Sequence, residues 1–526
     1  MAKATGDIRR APDDEEILRE ISRQSPVHRR LAPSIPRKNC DMKLHNLSKS
    51  KIIEGLQCKK RLWLTIHRPE LAETSDGASD RLQAGLKVHD VFRTVYPDGI
   101  SVSYDNGLVH ALQETERLVN AGVARIFEAT FSNQGVLVRA DLIEKADGFY
   151  KLYEVKSSTS VKDYHINDAS IQAWVIGKSI PLSSVFVTHI DNSFVYQGGN
   201  DYRGLFFSKE VTEQVNTIQT EIPGWLNDFR HSLSGGEPEI NPGEQCYSPF
   251  ECPYRSYCIP KQAAPEYPVE ILPGVSRIEK QLIEEGFVDL RDVPRDRLTN
   301  ERHVRIWDSV KTGAPQIDPA LKQELQQLVF PRYYLDFETI MFAIPIWVGT
   351  RPYQQLPFQY SCHVEKQADG GVTHFEFLDI SGNPPMRSLA EQMIADLGTD
   401  GPIITYGHFE RMIIDILIEL YPDLQTPLAA MQDRIFDLLP LLRSYYYHPD
   451  MNGSWSIKKV LPTIAPDLIY DNLEEVTNGM EAQTAFLEAI HESTHPERRD
   501  VLRRHMLKYC GQDSLAMVKI IHYFRT

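Results

Sequence analysis

Two groups of acidic residues in this chain have the types and spacing to hold divalent cations. The first lies in VRADLIEKADGFYKLYEVKSS, where Asp141 is followed by the triplet Glu154-Val155-Lys156. Alternation along a strand puts Glu154 and Lys156 on one face and turns Val155 to the core. A hairpin through Asp147-Gly148 brings Asp141 beside them. Two carboxylates and the Val155 carbonyl make a hard oxygen site suited to Mg²⁺ or Mn²⁺. Such a cation activates a water and offsets charge building on a scissile phosphate. Lys156 is then placed to orient the water or to stabilise the transition state. His89, in GLKVHD, falls on a preceding helix and could complete the metal shell; Glu128 sits one strand upstream. Gln172 follows on the next helix, where it could touch nucleic acid or brace the site. The plainer alternative is an exposed hairpin with a Glu154–Lys156 salt bridge.

The second group centres on YYLDFET, which places Asp336 and Glu338 on one face of a strand with Phe337 buried between them. Paired carboxylates at this spacing suit a two-metal site, whose cations lie roughly 3.5–4 Å apart. Further acids must converge from Glu410 in TYGHFERMII, Asp437 in RIFDLLPLLR and Asp513 in KYCGQDSLAM. Tyr509 stands four residues before Asp513, so a helix gives them a common face, and the tyrosine could orient a nucleophilic water. The alternative is scattered surface carboxylates.

Cys58 lies far upstream in LQCKKRLWL, while Cys246, Cys252 and Cys258 crowd into CYSPFECPYRSYC. Four thiolates suffice for a [4Fe–4S] cubane or a tetrahedral Zn²⁺, and spacing leaves both open, beside plain buried cysteines.

These residues need rigid elements to hold them. At 526 residues the chain is too long for one core. Residues 1–42 are polar and proline-dotted, without an apolar h-region, and read as a disordered tail rather than a signal peptide. With no apolar run long enough for a membrane span, the expected location is the cytoplasm. A formal net charge of −15 argues against a protein that coats nucleic acid by bulk electrostatics, but leaves room for a local basic groove. The pattern predicts helices over 47–64 and 79–96, strands in ARIFEATF, GVLVRADLIE and GFYKLYEVK, a helix over 168–177, the strand SSVFVTHI and a long helix over 210–233. Residues 263–330 read as a helical connector whose LPGVSRIEKQL turn resembles a phosphate-gripping helix-hairpin-helix. From Pro331 a second α/β domain begins.

Taken together, the first half resembles the RecB-type branch of the PD-(D/E)XK nucleases in its iron–sulfur form, which includes CRISPR-associated exonucleases. The resemblance covers about residues 43–262 and rests on LSKSKIIEGLQCKKRLWL, His89, Asp141, Glu154-Val155-Lys156, Gln172 and the four cysteines. It implies a restriction-endonuclease-like α/β fold and a [4Fe–4S] cluster more than zinc. Residues 331–526 resemble the DnaQ-like, ribonuclease-H-like DEDD exonucleases in their tyrosine variant. LDFET matches the first motif, and Tyr509 with Asp513 the third. The second motif has Glu410 where the family has aspartate, with Asp437 as the other candidate ligand. This implies 3′→5′ exonuclease chemistry. The pairing of both halves looks like a bacterial domain-of-unknown-function family. The expected protein is thus a metal-dependent nuclease with two active sites, acting on single-stranded DNA or DNA ends in repair or defence against foreign DNA. A ribonuclease, or a binding scaffold that has lost chemistry, are the rival expectations. Trp63, Trp174 and Tyr254 are candidates to stack on bases, or else core residues.

Overall fold

The computed structural model describes residues 46–73, 78–259, 265–274, 277–368, 370–468 and 473–525; the expected tail at 1–42 lies outside them. The chain divides into two compact units, Met1–Lys261 and Gln262–Thr526, each mixed α/β around its own mixed sheet. No helix among the described residues is long and apolar enough to cross a membrane.

The first unit runs β1 (Leu47–Ser48), α1 (Lys49–Gln57), α2 (Lys59–His67), α3 (Ala78–Val95), β2 (Ile100–Ser101), α4 (Gly107–Asn120), β3 (Arg125–Asn133), β4 (Val136–Ala146), β5 (Phe149–Lys156), α5 (Asp163–Ile176), β6 (Leu182–Ile190), β7 (Phe206–Glu210), α6 (Thr212–Gln219) and α7 (Ile222–Ser234). Strands β3, β4 and β5 form an antiparallel meander, and β5 then pairs parallel with β6 after the α5 crossover. The meander's two tight turns, Gln134-Gly135 and Asp147-Gly148, have positive φ at both residues. That handedness matches the twist of the flanking strands. Ile126, Val138, Leu152 and Val187 of the sheet pack with Ile171 and Val175 of α5 into one core.

Two long helices expected from the sequence are each broken. The first is interrupted at Cys58, which is extended at φ −163° and ψ 120° between α1 and α2. The second gives way to β7, α6 and α7, because Pro223 fits only the first turn of a new helix.

The second unit contains α8 (Glu301–Thr312), β8 (Gln316–Ile317), α9 (Pro319–Gln326), β9 (Arg332–Ile340), β10 (Leu356–Glu365), β11 (Val372–Leu378), α10 (Met386–Leu397), β12 (Ile403–Thr405), α11 (Phe409–Leu420), β13 (Ile435–Asp437), α12 (Leu438–Tyr445), β14 (Tyr446–Tyr447) and the long α13 (Pro496–Arg525), with further helices at Arg277–Glu284, Gln425–Gln432 and Gly479–Ile490 and short helical turns besides. Its main sheet has the order β11-β10-β9-β12-β13. The first three strands are antiparallel neighbours, while β9, β12 and β13 run parallel. Helix α13 lies against β9 and β10. The stretch read as a connector belongs to this unit: Val269, Leu290, Ile306 and Leu321 share a core with Tyr446, Met517 and Phe524. Its apolar side chains find enough partners there that it cannot stand as an independent linker.

Candidate active sites

In the first unit, the sheet opens where the acids sit. Strand β4 pairs with β5 from Ala146↔Phe149 as far as Leu142↔Tyr153, and beyond that β5 pairs with β6 alone. The Val155 amide donates instead to Oδ2 of Asp141 at 2.6 Å. On the other side, the β3–β4 register passes from Phe127↔Leu142 to Ala129↔Ala140, leaving Glu128 and Asp141 outside the ladder. Glu128 has φ +56°, a conformation costing a non-glycine residue about 1–3 kcal/mol and tolerated mostly at functional positions. Its carboxylate is held by Arg93 at 2.6 Å and Arg139 at 2.8 Å.

His89, from α3, brings Nδ1 to 3.3 Å from Oδ1 of Asp141. His89, Glu128 and Asp141 each offer a ligand atom, all within 4.8 Å of one another. Glu154 is 2% exposed and turned onto cations: Lys49 reaches its Oε1 at 2.8 Å and Lys156 at 2.6 Å. The Gln172 side-chain amide donates to its other oxygen, and Gln172 Oε1 is buried without a partner. Lys156 also binds Asp168, which Lys49 meets at 3.1 Å.

Charge follows this geometry. Burial would raise the Glu154 carboxyl, but Lys156 and Lys49 outweigh it and hold the group well below the ordinary carboxylate range. Burial and then the neighbouring Glu154 raise Asp141, against the pull of His89. Lys156 stays firmly charged, since Glu154 and Asp168 overcome its desolvation. Lys49 and Asp168 were not singled out from the sequence. Asp168 could have been found: it stands four residues before Gln172 on one helix, so the two share a face.

All four cysteines expected to act together line one cavity, with Leu64 and Tyr254 as apolar walls and Lys60 and Arg61 as nearby cations. The break at Cys58 aims it there, between two helices. The Gln57 side chain fastens the cysteine loop to α1, donating to the Gln245 and Phe250 carbonyls at 2.8 and 2.6 Å. Burial raises the Cys252 and Cys258 thiols, and each is raised further by the other cysteines. A soft, four-sulfur donor set with adjacent cations fits a thiolate-ligated group, which would draw those thiols into the charged form. Tyr254 and Trp174 are buried, at 3% and 6% exposure, and serve as packing rather than as free stacking surfaces. Trp63 is partly buried and donates to the Gly235 carbonyl at 3.2 Å.

The second unit gathers acids more densely. Asp336 and Glu338 lie on β9, Glu410 opens α11, and Tyr509 and Asp513 sit on α13. Glu338, Glu410 and Asp513 are buried. Burial, then Asp513, Glu338 and Glu410, push the Asp336 carboxyl well above its ordinary range. Glu338 is pushed up to about 8 by burial and Asp513, with Lys458 opposing. Glu410 is also pushed up to about 8, by burial and, against a backbone hydrogen bond, by Asp437 and Asp513. Glu410 Oε2 is buried with no hydrogen-bond partner. Carboxylates forced together with an orphaned oxygen fit divalent cations, which would let all of them ionise.

Asp437 is used differently. Its Oδ1 accepts from the Gly407 amide at 2.8 Å and from the Leu439 amide at 3.0 Å, capping α12. Cys510, not anticipated, places its thiol 3.5 Å from Oδ2 of Asp336, and Lys458 lies 4.9 Å over the Tyr509 ring.

The protein is therefore a two-unit mixed α/β chain with an acidic cluster in each unit and a four-cysteine cavity in the first. Residues 333–456 match the family model described as "Domain of unknown function (DUF2779)", so the chain carries that domain there. The match takes in Asp336, Glu338, Glu410 and Asp437 and ends before Tyr509 and Asp513. No curated protein and no solved structure matches the chain.

Proposed function

We propose that this chain is a metal-dependent nuclease with two independent hydrolytic sites, acting on single-stranded DNA or DNA ends. The observation that carries the reading is the convergence of Asp336, Glu338, Glu410 and Asp513, whose charges act on one another, with the last three buried and Glu410 Oε2 left unpartnered. Packing four acids together costs stability unless a cation completes them. The sheet order supports a ribonuclease-H-like second unit: three antiparallel strands, then two parallel ones beside the first. The β3–β5 meander and α5 crossover, with acids where β4 and β5 part, support a PD-(D/E)XK-like first unit.

Divalent cations held by Asp336, Glu338, Glu410 and Asp513, and by His89, Glu128 and Asp141, would supply water activation and neutralise charge on the phosphate. The chain's own groups then do the positioning. Tyr509 lies one helical turn from Asp513 and orients the attacking water in the second site. In the first site, Lys156 holds a fixed positive charge where the phosphate oxygens gather charge. Gln172 and Lys49 keep Glu154 oriented, and Asp168 keeps Lys156 from swinging away. The four cysteines are read as holding a [4Fe–4S] cluster that ties α1 and α2 to the loop after α7. That cluster has a structural role here.

The test is cleavage of end-labelled single-stranded DNA with Mg²⁺ or Mn²⁺ by anaerobically purified protein, comparing Lys156→Ala, Asp336→Ala and the double variant. Activity divided between the single variants and absent from the double is the expected result. No cleavage of DNA or RNA by the unaltered chain would sink the proposal, and cleavage of RNA alone would make it a ribonuclease.

A further inference from the structure

A groove of about 660 Å³ in the second unit is lined by Arg302, Tyr406, Arg443, Ser454, Trp455 and Ser456, a size within the roughly 300–1,000 Å³ of ligand pockets. Its wall joins two distant parts of the chain. Gly453 has φ +79°, and a Cβ there would fall 2.4 Å from the Ile271 carbonyl oxygen. Only glycine lets the Gly453 turn lie this close to the Ile271 backbone.

Several arginines of this chain are taken up by carboxylates. Arg291, Arg297, Arg351 and Arg387 are each held by a carboxylate. Arg302 and Arg443 face the groove with no carboxylate partner among the described residues. Arg302 lies 5.9 Å over the Trp455 ring. Trp455 is itself 4% exposed and donates to the Tyr446 carbonyl at 2.9 Å, so it is a fixed platform beneath the guanidinium rather than a surface for a base. In a chain of net charge −15, two unneutralised arginines in one groove define a local site for anions. Planar guanidiniums suit phosphate in particular.

Two stretches of the groove lining continue along the chain to residues at the acid cluster. Ser456 and Ile457 line the groove, and the next residue, Lys458, lies over Tyr509 and acts on the charge of Glu338. Tyr406 lines it too, and the chain passes from there through Gly407 into α11 and Glu410. Glu338, Glu410 and Asp513 are 3–7% exposed, a depth that suits the end of an unpaired strand better than the side of a duplex.

We propose that this groove holds the phosphodiester backbone of a single polynucleotide strand whose end reaches Asp336, Glu338, Glu410 and Asp513, with Arg302 and Arg443 each neutralising one phosphate. The proposal rests on the nuclease reading of that acid cluster, and gives its substrate a path and a form.

The experiment measures binding by fluorescence anisotropy in EDTA, across a salt series, using 5′-labelled oligothymidylate and oligouridylate. The full chain carrying Lys156→Ala is compared with the same chain carrying Arg302→Gln and Arg443→Gln, and with one carrying Arg351→Gln as a control outside the groove. The paired groove substitutions should weaken binding at least about tenfold and lower the slope of log K against log salt by about 1.4, at about 0.7 per phosphate. Arg443→Gln alone, at an exposed position, should give about half that slope change without disturbing packing. Preference for one oligomer identifies the strand as DNA or RNA. Cleavage by the unaltered chain, with binding indifferent to the groove substitutions, would overturn the groove and leave the nuclease standing. Groove-dependent binding without cleavage would instead overturn the nuclease reading. A chain that binds neither oligomer overturns the groove.

Discussion

The backbone amide of Val155 donates to the Asp141 carboxylate at 2.6 Å, at the point where β4 and β5 stop pairing. A side chain thereby replaces a ladder hydrogen bond, and the sheet opens without leaving a buried donor unsatisfied. The same parting of strands brings Asp141 to His89 and leaves Glu154 to the lysines.

In the proposed nuclease, that division of labour makes Asp168 a positioning residue. Asp168→Asn should lower cleavage by the first site about 10–100-fold, the usual range for a residue that orients a metal-site group. It should leave second-site cleavage and the visible spectrum unchanged. Measuring both activities on one preparation checks this, and an equal loss in both would indicate general unfolding instead.

The cysteine cavity makes a spectroscopic prediction. Anaerobically purified protein should be brown and contain iron and acid-labile sulfide in equal amounts. Cys252→Ser should bleach it. Because the cavity joins α1 and α2 to the loop after α7, the same change should lower the melting temperature of the first unit. Colourless protein with stoichiometric zinc would rule the cluster out.

Glu410 and Asp437 should separate cleanly. Glu410→Gln should remove second-site cleavage, by about 10²-fold or more, while keeping or raising thermal stability, since it relieves a crowded buried acid. Asp437→Ala removes a helix cap and should cost about 0.5–2 kcal/mol in stability. Denaturation midpoints set beside second-site rates distinguish the two. Stability lost in Glu410→Gln would count against its place in a metal site.

The acid cluster also fixes a pH dependence. Burial and the neighbouring acids push Glu338 and Glu410 up to about 8 in the folded, metal-free chain, above the ordinary 4.5 of an unfolded glutamate. The folded state therefore binds more protons than the unfolded state between those values, and stability falls as pH rises through that window. Metal-free protein should melt at a lower temperature at pH 8 than at pH 6. Added Mg²⁺ or Mn²⁺ should recover more at pH 8, where fewer protons must be displaced. A melting temperature that rises over this interval would contradict the cluster's assigned charge.

Much of this was legible in the sequence because it is local. Alternation in GVLVRADLIE and GFYKLYEVK fixed the meander and the common face of Glu154 and Lys156, and the four-residue spacing of Tyr509 and Asp513 fixed their face on α13. The division into two α/β units followed from the change of texture near Pro331, though the structure assigns the preceding helices to the second unit. Lys49 was not legible: its partner Glu154 is 105 residues away, and no local pattern marks that approach. Nor was the break at Cys58, where helix-forming neighbours hide a single extended residue.

The sequence by itself thus determined which residue types could bind cations or a cluster, and which strand and helix faces carry them, because side-chain direction follows from local periodicity. Only the tertiary structure decided which of those residues meet. It gave Asp437 to a helix cap and Glu410 to the acid cluster, and it brought the four cysteines to one cavity. It also put Arg302 and Arg443 in a common groove with no carboxylate partner among the described residues. Burial and long-range packing set these outcomes, through the cost of desolvating a charge and the partners each fold position supplies.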